Sequence, residues 1–153
     1  MSEIMNAIKL YRLSNRLYKI KFRVLATIVQ KFNSLIHNSY IPCSAKIGYD
    51  CNFAYGGIGV VIHCNAKIGN NCMIGQNITI GGRAGHGGPP VIGNNVYIAA
   101  GSRVLGQIKI GDNVVIGANA VVIKDIPSNS VVAGVPAKII SQDVSKFKKL
   151  GVI

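Results

Sequence analysis

Histidine is the residue type that most readily accepts a proton near neutral pH, and this chain has three: His37, His63 and His86. His63 stands in the run GVVIHCNAKIG, and His86 stands in the glycine- and proline-rich run GGRAGHGGPPVIG. Either could act as a general base, although a histidine at a chain turn can serve only to bond the backbone, and a loop histidine can be merely polar. His37 precedes Asn38 and Ser39 after a basic segment, where we expect a solvated linker residue.

Few groups could assist such a base. The chain has five acidic residues, and none is near His63 or His86 in sequence. A backbone carbonyl, Asn65, Asn77 or a neighbouring subunit would then have to orient the ring. Arg83 lies three residues before His86 and could hold an anionic or hydroxylated substrate. The alternative for Arg83 is a solvated loop residue.

The four cysteines do not form a metal-binding pattern. Seven residues separate Cys43 from Cys51, and the same number separates Cys64 from Cys72. No CxxC or CxxH motif occurs, so the spacing does not match a zinc site. We expect small buried thiols and no metal ion.

A six-residue period begins at Ile41, and neither a simple helix nor an alternating strand produces it. Blocks such as IHCNAK, IGNNCM, IGQNIT and IGDNVV follow one another, with two interruptions between them. A turn every six residues would point the first residue of each block into the core and place Gly or Asn at the corner. The first residues are aliphatic: Ile62, Ile68, Ile74, Ile80, Ile92, Ile98, Val104, Ile110, Ile116 and Val122. Small residues fill the fifth place: Ala45, Cys51, Ala66, Cys72, Ser102 and Ala120. The period predicts an all-β solenoid with a narrow core.

Residues 1–40 have a different pattern. Apolar residues at spacings of three and four predict one or two amphipathic helices with a single apolar stripe: Leu10, Leu13, Leu17, Ile20, Val24, Ile28, Phe32 and Leu35. The formal charge of the chain is +12, and its first 31 residues hold seven basic side chains and one acid, Glu3. The stripe would pack on the main body or a neighbouring subunit, or it would rest on anionic lipid. No run in this segment is long enough to span a bilayer, so we expect a cytoplasmic protein that can bind peripherally to the inner face of the membrane.

The blocks resemble those of the hexapeptide-repeat acyltransferases. The run IGDNVVIGANAVVIKDIPSNSVVAGVPAKII closely resembles the C-terminal signature of their acetyltransferase branch, which includes serine acetyltransferases and polysaccharide O-acetyltransferases. The resemblance implies a left-handed parallel β-helix over residues 41–140, with a helical arm over 1–40 and a C-terminal tail or helix over 141–153. It also implies acetyl-CoA as co-substrate and a homotrimer with active sites between neighbouring subunits.

The same resemblance suggests site residues. Five positions match those at which the family holds acetyl-CoA, where small corners accommodate the pantetheine arm and lysines meet phosphates: Ala100, Ala118, Ile123, Lys124 and Lys138. If every coil consists of three hexapeptides, as the family implies, His63 stacks over Gly81 and Ala99, beside this groove. We therefore rank His63 first as the catalytic base and His86 second.

The chain also departs from the serine acetyltransferases. The segment around Tyr55 resembles the place where those enzymes carry an Asp-His pair, but Ala54 and Tyr55 stand there. The Arg-His pair of their later loop is replaced by Gly88–Pro90. We therefore expect Tyr55 and Arg83 to bind a different acceptor. The favoured function is O-acetylation of a sugar hydroxyl in surface polysaccharide synthesis, such as capsule or O-antigen assembly.

Other functions stay open at this point. They are serine O-acetylation, N-acetylation of an amino sugar, and a hexapeptide scaffold without catalysis. A metal-dependent hydrolase would need several clustered histidines, which the sequence does not offer. We expect no nucleic-acid partner, because the basic arm carries no recognisable reading motif.

Overall fold

The computed structural model describes residues 6–151 and 153, so the first five residues of the arm, Glu3 included, lie outside the description. Two helices come first, α1 (Ala7–Lys19) and α2 (Arg23–His37), and α3 (Ser145–Lys149) comes last. The strands between them are β1 (Lys46–Ile47), β2 (Asn52–Phe53), β3 (Val61–Ile62), β4 (Lys67–Ile68), β5 (Met73–Ile74), β6 (Thr79–Gly81), β7 (Val91–Ile92), β8 (Tyr97–Ile98), β9 (Arg103–Leu105), β10 (Lys109–Ile110), β11 (Val115–Ile116), β12 (Val121–Val122), β13 (Val131–Gly134) and β14 (Ala137–Ser141).

The strands form three faces around one core. Face 1 contains β1, β4, β7 and β10, face 2 contains β2, β5, β8, β11, β13 and β14, and face 3 contains β3, β6, β9 and β12. Pairing is parallel except between β13 and β14. The chain thus visits the faces in turn and forms a parallel solenoid of about four turns, which confirms the expected left-handed β-helix with N-terminal helices and a C-terminal helix.

The six-residue period is confirmed as the packing unit. Every block-opening aliphatic residue from Ile62 to Val122 is buried, and so are the six small residues in the fifth place. Asparagines such as Asn77 and Asn119 take the corners with positive φ, which asparagine tolerates better than most residues. The expectation of buried thiols is wrong for Cys64, which is exposed beside His63, at a corner that the helical arm covers only one coil earlier, over Cys43.

One coil is longer than the others, and this overturns the expected stacking of His63. Face 3 pairs Ile62 with Ile80 and then Gly81 with Leu105, because the excursion over residues 82–90 adds one whole block to the coil between β6 and β9. His63 therefore stacks in register with Gly81 and then Leu105. The expectation that Ala99 continues this column is wrong, since the extra block moves Ala99 to face 2.

Helix α1 closes the N-terminal end of the solenoid. A solenoid end exposes backbone groups that have no next coil to bond. The hydroxyl of Tyr11, 1% exposed, donates to the carbonyl of Ala45 (2.7 Å) and accepts from the N–H of Ile47 (3.2 Å). The Asn15 amide donates to the carbonyl of Cys43 (2.7 Å). Burial raises the pKa of Tyr11, so the phenol stays protonated as this bonding requires.

The apolar stripe expected on the arm is not its buried face. Helix α1 buries mainly Ala7, Ile8, Tyr11, Ser14 and Asn15, and α2 buries Ala26, Asn33 and His37. The expectation of a solvated His37 is therefore wrong: the residue ends α2 at 5% exposure, and its Nδ1 lies 3.3 Å from the carbonyl oxygen of Asn33. Within residues 6–151 and 153, no helix has the length and apolar content needed to cross a bilayer.

Candidate active site

The predicted site residues fall on two corners of the solenoid. The histidine corner lies between faces 3 and 1, where the register stacks His63, Gly81, Leu105 and Ile123. The alanine corner lies between faces 2 and 3 and carries Tyr55, Ala100 and Ala118, each two residues past a paired face 2 strand residue. Ala100 and Ala118 were expected to bind the same cofactor as Ile123, but the two alanines and the isoleucine lie on different edges of the protomer.

His63 is bonded to its own turn. Its Nδ1 accepts from the backbone N–H of Asn65 at 3.1 Å. Because the lone pair of Nδ1 is used in this bond, a neutral ring carries its proton on Nε2. In that state Nε2 is a hydrogen-bond donor and has no lone pair for a substrate proton. This geometry suits a corner residue that caps the backbone.

His86 is held differently, on the loop formed by the excursion. Gly85 and Gly87 on either side of it have φ of 74° and 68°, a region that glycine enters without strain. The His86 carbonyl accepts from the N–H of Gln107 (3.2 Å), which ties the loop to the next coil. Within residues 6–151 and 153, the His86 ring forms no hydrogen bond, and the residue is exposed. Both ring nitrogens are therefore available to a substrate.

Arg83 shares this place with His86. The two side chains flank Gly106: a Cβ built on that glycine would lie 3.3 Å from the Cβ of Arg83 and 3.7 Å from the Cβ of His86. Gly106 has φ of 93°, so it is restricted by its backbone conformation as well as by space. The loop thus presents one cation and one imidazole on the same side of the histidine corner. Gln107 and Gly106 were not expected among the site residues, although a loop of this length needs an anchor on the next coil.

The C-terminal coil extends the histidine corner. Ile123 follows β12 in the column that begins at His63, three inter-strand steps or about 14 Å away. Lys124 comes next and is exposed. The structure therefore places Ile123 and Lys124 with the two histidines and away from the alanine corner.

The alanine corner has the smooth surface expected of a groove. Ala100 is half-buried and Ala118 is exposed, and the Ala100 carbonyl accepts from the N–H of Asn119 (2.9 Å). A Cβ on Gly75 would lie 2.7 Å from the nitrogen of Ala100, so the coils stack too closely there for any side chain. Lys138 lies opposite Ala133 in the antiparallel pair of β13 and β14, at the C-terminal end of this corner.

Tyr55 stands at the lower end of the same corner. It lies in the turn Ala54–Gly57, where it adopts φ of 51° and is 76% exposed. The turn lengthens the first coil without disturbing the pairing of β2 with β5. Tyr55 therefore lies on the same corner as Ala100 and Ala118, in an earlier coil.

The site surface is cationic. Arg83, Lys124 and Lys138 are exposed, and no carboxylate hydrogen-bonds to a histidine anywhere in the part of the chain that the structure describes. Such a surface raises the local concentration of anionic ligands. In the same described residues, no group of three or more His, Cys, Asp or Glu side chains could hold a metal ion.

Face 3 separates the two corners. Ala100 and Gly106 are six residues apart, at most about 20 Å of extended chain. Arg103 lies on this face, and its guanidinium donates to the carbonyl of Gly101 (2.8 Å) and to that of Asn77 (2.5 Å). Arg103 was not expected among the site residues. Its hydrogen bonds join two neighbouring coils on the face between the corners.

Comparison with known proteins gives a consistent set of matches. The family described as "Bacterial transferase hexapeptide (six repeats)" matches residues 89–124. The serine acetyltransferase of Bacillus subtilis is 35% identical over 95% of this chain and 67% of its own length. That of Staphylococcus xylosus is 40% identical over 94% of this chain and 67% of its own.

Solved structures agree with the sequence matches. The serine acetyltransferase of Brucella abortus in complex with coenzyme A superposes with a TM-score of 0.84 at 34% identity, covering 90% of this chain and 55% of that one. The enzyme of Neisseria gonorrhoeae in complex with serine gives a TM-score of 0.82 at 36% identity, covering 88% and 55%. The chain spans about half the length of these solved structures.

Proposed function

The chain belongs to the hexapeptide-repeat transferase family, with serine acetyltransferases as its relatives, and from this membership we propose that it transfers an acetyl group from acetyl-CoA to the hydroxyl of a small acceptor. The proposal rests on the pair formed by Arg83 and His86, which lie on a loop over the histidine corner. Among the described residues, the His86 imidazole forms no hydrogen bond. Acetyl transfer to a hydroxyl needs a group that removes the hydroxyl proton, and this ring offers one.

We assign acetyl-CoA first to the alanine corner. Ala100 and Ala118 leave room for a flat chain against the backbone, and Lys138 lies at the end of the corner where it can meet a phosphate. The acetyl thioester supplies the acyl group. Lys124 and Ile123 lie on the other corner, so they would contact acetyl-CoA held by a neighbouring protomer.

This division of the site supports a homotrimer. Within one protomer, face 3 separates the alanine corner from the histidine corner. A neighbouring protomer whose alanine corner lies against the histidine corner would bring acetyl-CoA, His86 and Arg83 together. We propose that the working site is formed in this way by two copies of the chain.

We place His86 ahead of His63 as the general base. A first place for His63 requires its column to continue through Ala99, and the register continues it through Leu105 instead. His63 also spends its Nδ1 lone pair on Asn65. In the proposed mechanism His86 accepts the hydroxyl proton as the oxygen attacks the thioester carbonyl, and it returns that proton to the departing thiolate, while Arg83 holds the acceptor.

Serine is the first candidate acceptor, because the relatives named above are serine acetyltransferases. A sugar hydroxyl of surface polysaccharide is the second candidate. Ala54 and Tyr55 favour it, since they stand where the serine enzymes are expected to carry an Asp-His pair, and Tyr55 offers an exposed ring on which a sugar can stack.

The test is a turnover assay that follows release of the CoA thiol with serine, a nucleotide-linked sugar and an amino sugar as acceptors. We expect turnover with serine. His86→Ala should lower kcat/KM by about 10²–10⁴-fold, the usual contribution of a general base, and His63→Ala should lower it by less than about tenfold. If only the sugar supports turnover, a sugar hydroxyl replaces serine as the acceptor. If His63→Ala lowers kcat/KM more than His86→Ala does, His63 becomes the first candidate for the general base. Absence of turnover together with absence of thermal stabilisation by CoA would indicate a scaffold.

A further inference from the structure

Helix α2 turns its large apolar side chains away from the protein. Its outer face consists of residues that are between 47% and 82% exposed: Val24, Leu25, Ile28, Phe32 and Leu35. The opposite side is buried and carries Ala26, Asn33 and His37, of which Asn33 donates to the carbonyl of Ala7 in α1. An amphipathic helix in a water-soluble protein normally has the reverse arrangement. The outer face therefore needs a partner of its own.

The charges around this face are of one sign. Residues 6–40 contain seven lysines and arginines and no acidic residue. Lys21 and Arg23 flank Phe22, which is 61% exposed, where α1 turns into α2. A hollow of about 430 Å³ opens there, and both kinds of side chain line it: Lys21, Phe22, Arg23, Val24, Leu25 and Ile28. Apolar side chains bordered by cations suit the boundary between lipid phosphates and acyl chains.

We propose that the outer face of α2 docks on an anionic lipid bilayer. The 15 residues of α2 would lie flat along about 22 Å of the surface, with Ile28, Phe32 and Leu35 in the acyl boundary and Lys21, Arg23 and Lys31 at the phosphates. The inner side of the helix packs on α1, and its Gln30 side chain accepts from the backbone N–H of Cys43 (2.8 Å), so the outer face is not used to hold the helix to the rest of the protein.

Charge opposes the pairing of this face with the same face of a second copy of the chain. Two outer faces packed on each other would bring their lysines and arginines together with no carboxylate among residues 6–40 to compensate. Repulsion of that kind opposes association, whereas an anionic membrane attracts the same charges by about 1 kcal/mol each.

The first experiment measures binding of the intact protein to sedimenting vesicles. We expect binding to phosphatidylglycerol–phosphatidylcholine vesicles and little binding to phosphatidylcholine alone. The double substitution Ile28→Gln with Leu35→Gln should weaken binding about thirtyfold or more. The matched control is Ile140→Gln with Leu150→Gln, one isoleucine and one leucine that are each 66% exposed elsewhere, and it should leave binding unchanged. Lys21→Gln with Lys31→Gln should weaken binding about tenfold to thirtyfold.

A second readout reports the position of the helix directly. The chain has no tryptophan, so Phe32→Trp introduces a single reporter on the outer face, and Leu150→Trp introduces a matched one away from it. Only the Phe32→Trp emission should shift to the blue with anionic vesicles. The proposal is overturned if anionic vesicles do not bind the protein, if the control pair loses as much binding as the α2 pair, or if the α2 pair instead reduces the oligomeric mass of a protein that binds no lipid.

Discussion

Deleting residues 82–87 should remove one whole block from the excursion and leave the β-helix intact. Ile80 and Ile92 both point into the core, and the deletion would separate them by one block, as Ile62 and Ile68 are separated now. All six deleted residues are exposed. Pro90 is buried and would take the fifth place of the shortened block, where a compact residue fits.

The expected change in the free energy of unfolding is small. Among the described residues, the deleted segment makes one backbone hydrogen bond to the rest of the protein, from the N–H of Gln107 to the carbonyl of His86, worth about 0.5–1.5 kcal/mol. Halving the connection between Ile80 and Ile92 returns about 0.6 kcal/mol of loop-closure entropy. The difference is below about 1 kcal/mol, or about 2–4 °C in Tm for a chain of this size.

The assay combines thermal melting, with and without CoA, and acetyl transfer. The deleted protein should melt near the parent temperature and still be stabilised by CoA, because the alanine corner is untouched, while transfer falls by at least about 10²-fold with the loss of Arg83 and His86. A fall in Tm of more than about 10 °C would refute the argument that the excursion is a removable block. Undiminished transfer would refute the assignment of the base to this loop.

Two further outcomes follow from the cap and the groove. Tyr11→Phe removes the hydroxyl that bridges Ala45 and Ile47, and because a buried N–H loses its partner, urea unfolding should show a loss of about 2–3 kcal/mol; a loss below about 0.5 kcal/mol would mean that α1 does not cap the solenoid through this bond. Ala118→Phe places a ring on the exposed surface of the alanine corner, so KM for acetyl-CoA should rise at least about tenfold with Tm unchanged, and an unchanged KM would show that the pantetheine arm lies elsewhere.

The sequence predicts the core of this fold well because one physical constraint repeats in every block. A narrow solenoid admits one aliphatic residue and one small residue per turn, so Ile74 and Cys72 could be assigned to the interior by position alone. Cys64 shows the limit of that reasoning. Cys43 holds the same third place one coil earlier and is buried, because Asn15 and Gln30 of the helical arm bond its backbone. Exposure at this place therefore depends on what covers the corner and not on the period.

The arm shows a different limit. Periodicity identifies the apolar stripe of α2 but does not say which side of the helix meets the protein. The buried side is the one that bonds α1: the Asn33 amide donates to the carbonyl of Ala7 (3.0 Å), and Ala26, fully buried on the same side of α2, allows close approach. A stripe of leucines and isoleucines is therefore evidence for a helix, and only packing shows what covers it.

The candidate site marks the point at which counting residues fails. Both interruptions lie at corners, where extra residues can loop outward without disturbing the stacked strands, and so the sequence can locate them but cannot say how many of their residues remain in the coil. The excursion between Gly81 and Val91 adds one full block, and every residue after it moves by one face relative to a simple count. That shift takes Ala99 away from the column of His63 and moves Ile123 into it. The same block places His86 and Arg83 over the histidine corner. The insertion that makes a simple residue count fail therefore also supplies the candidate general base.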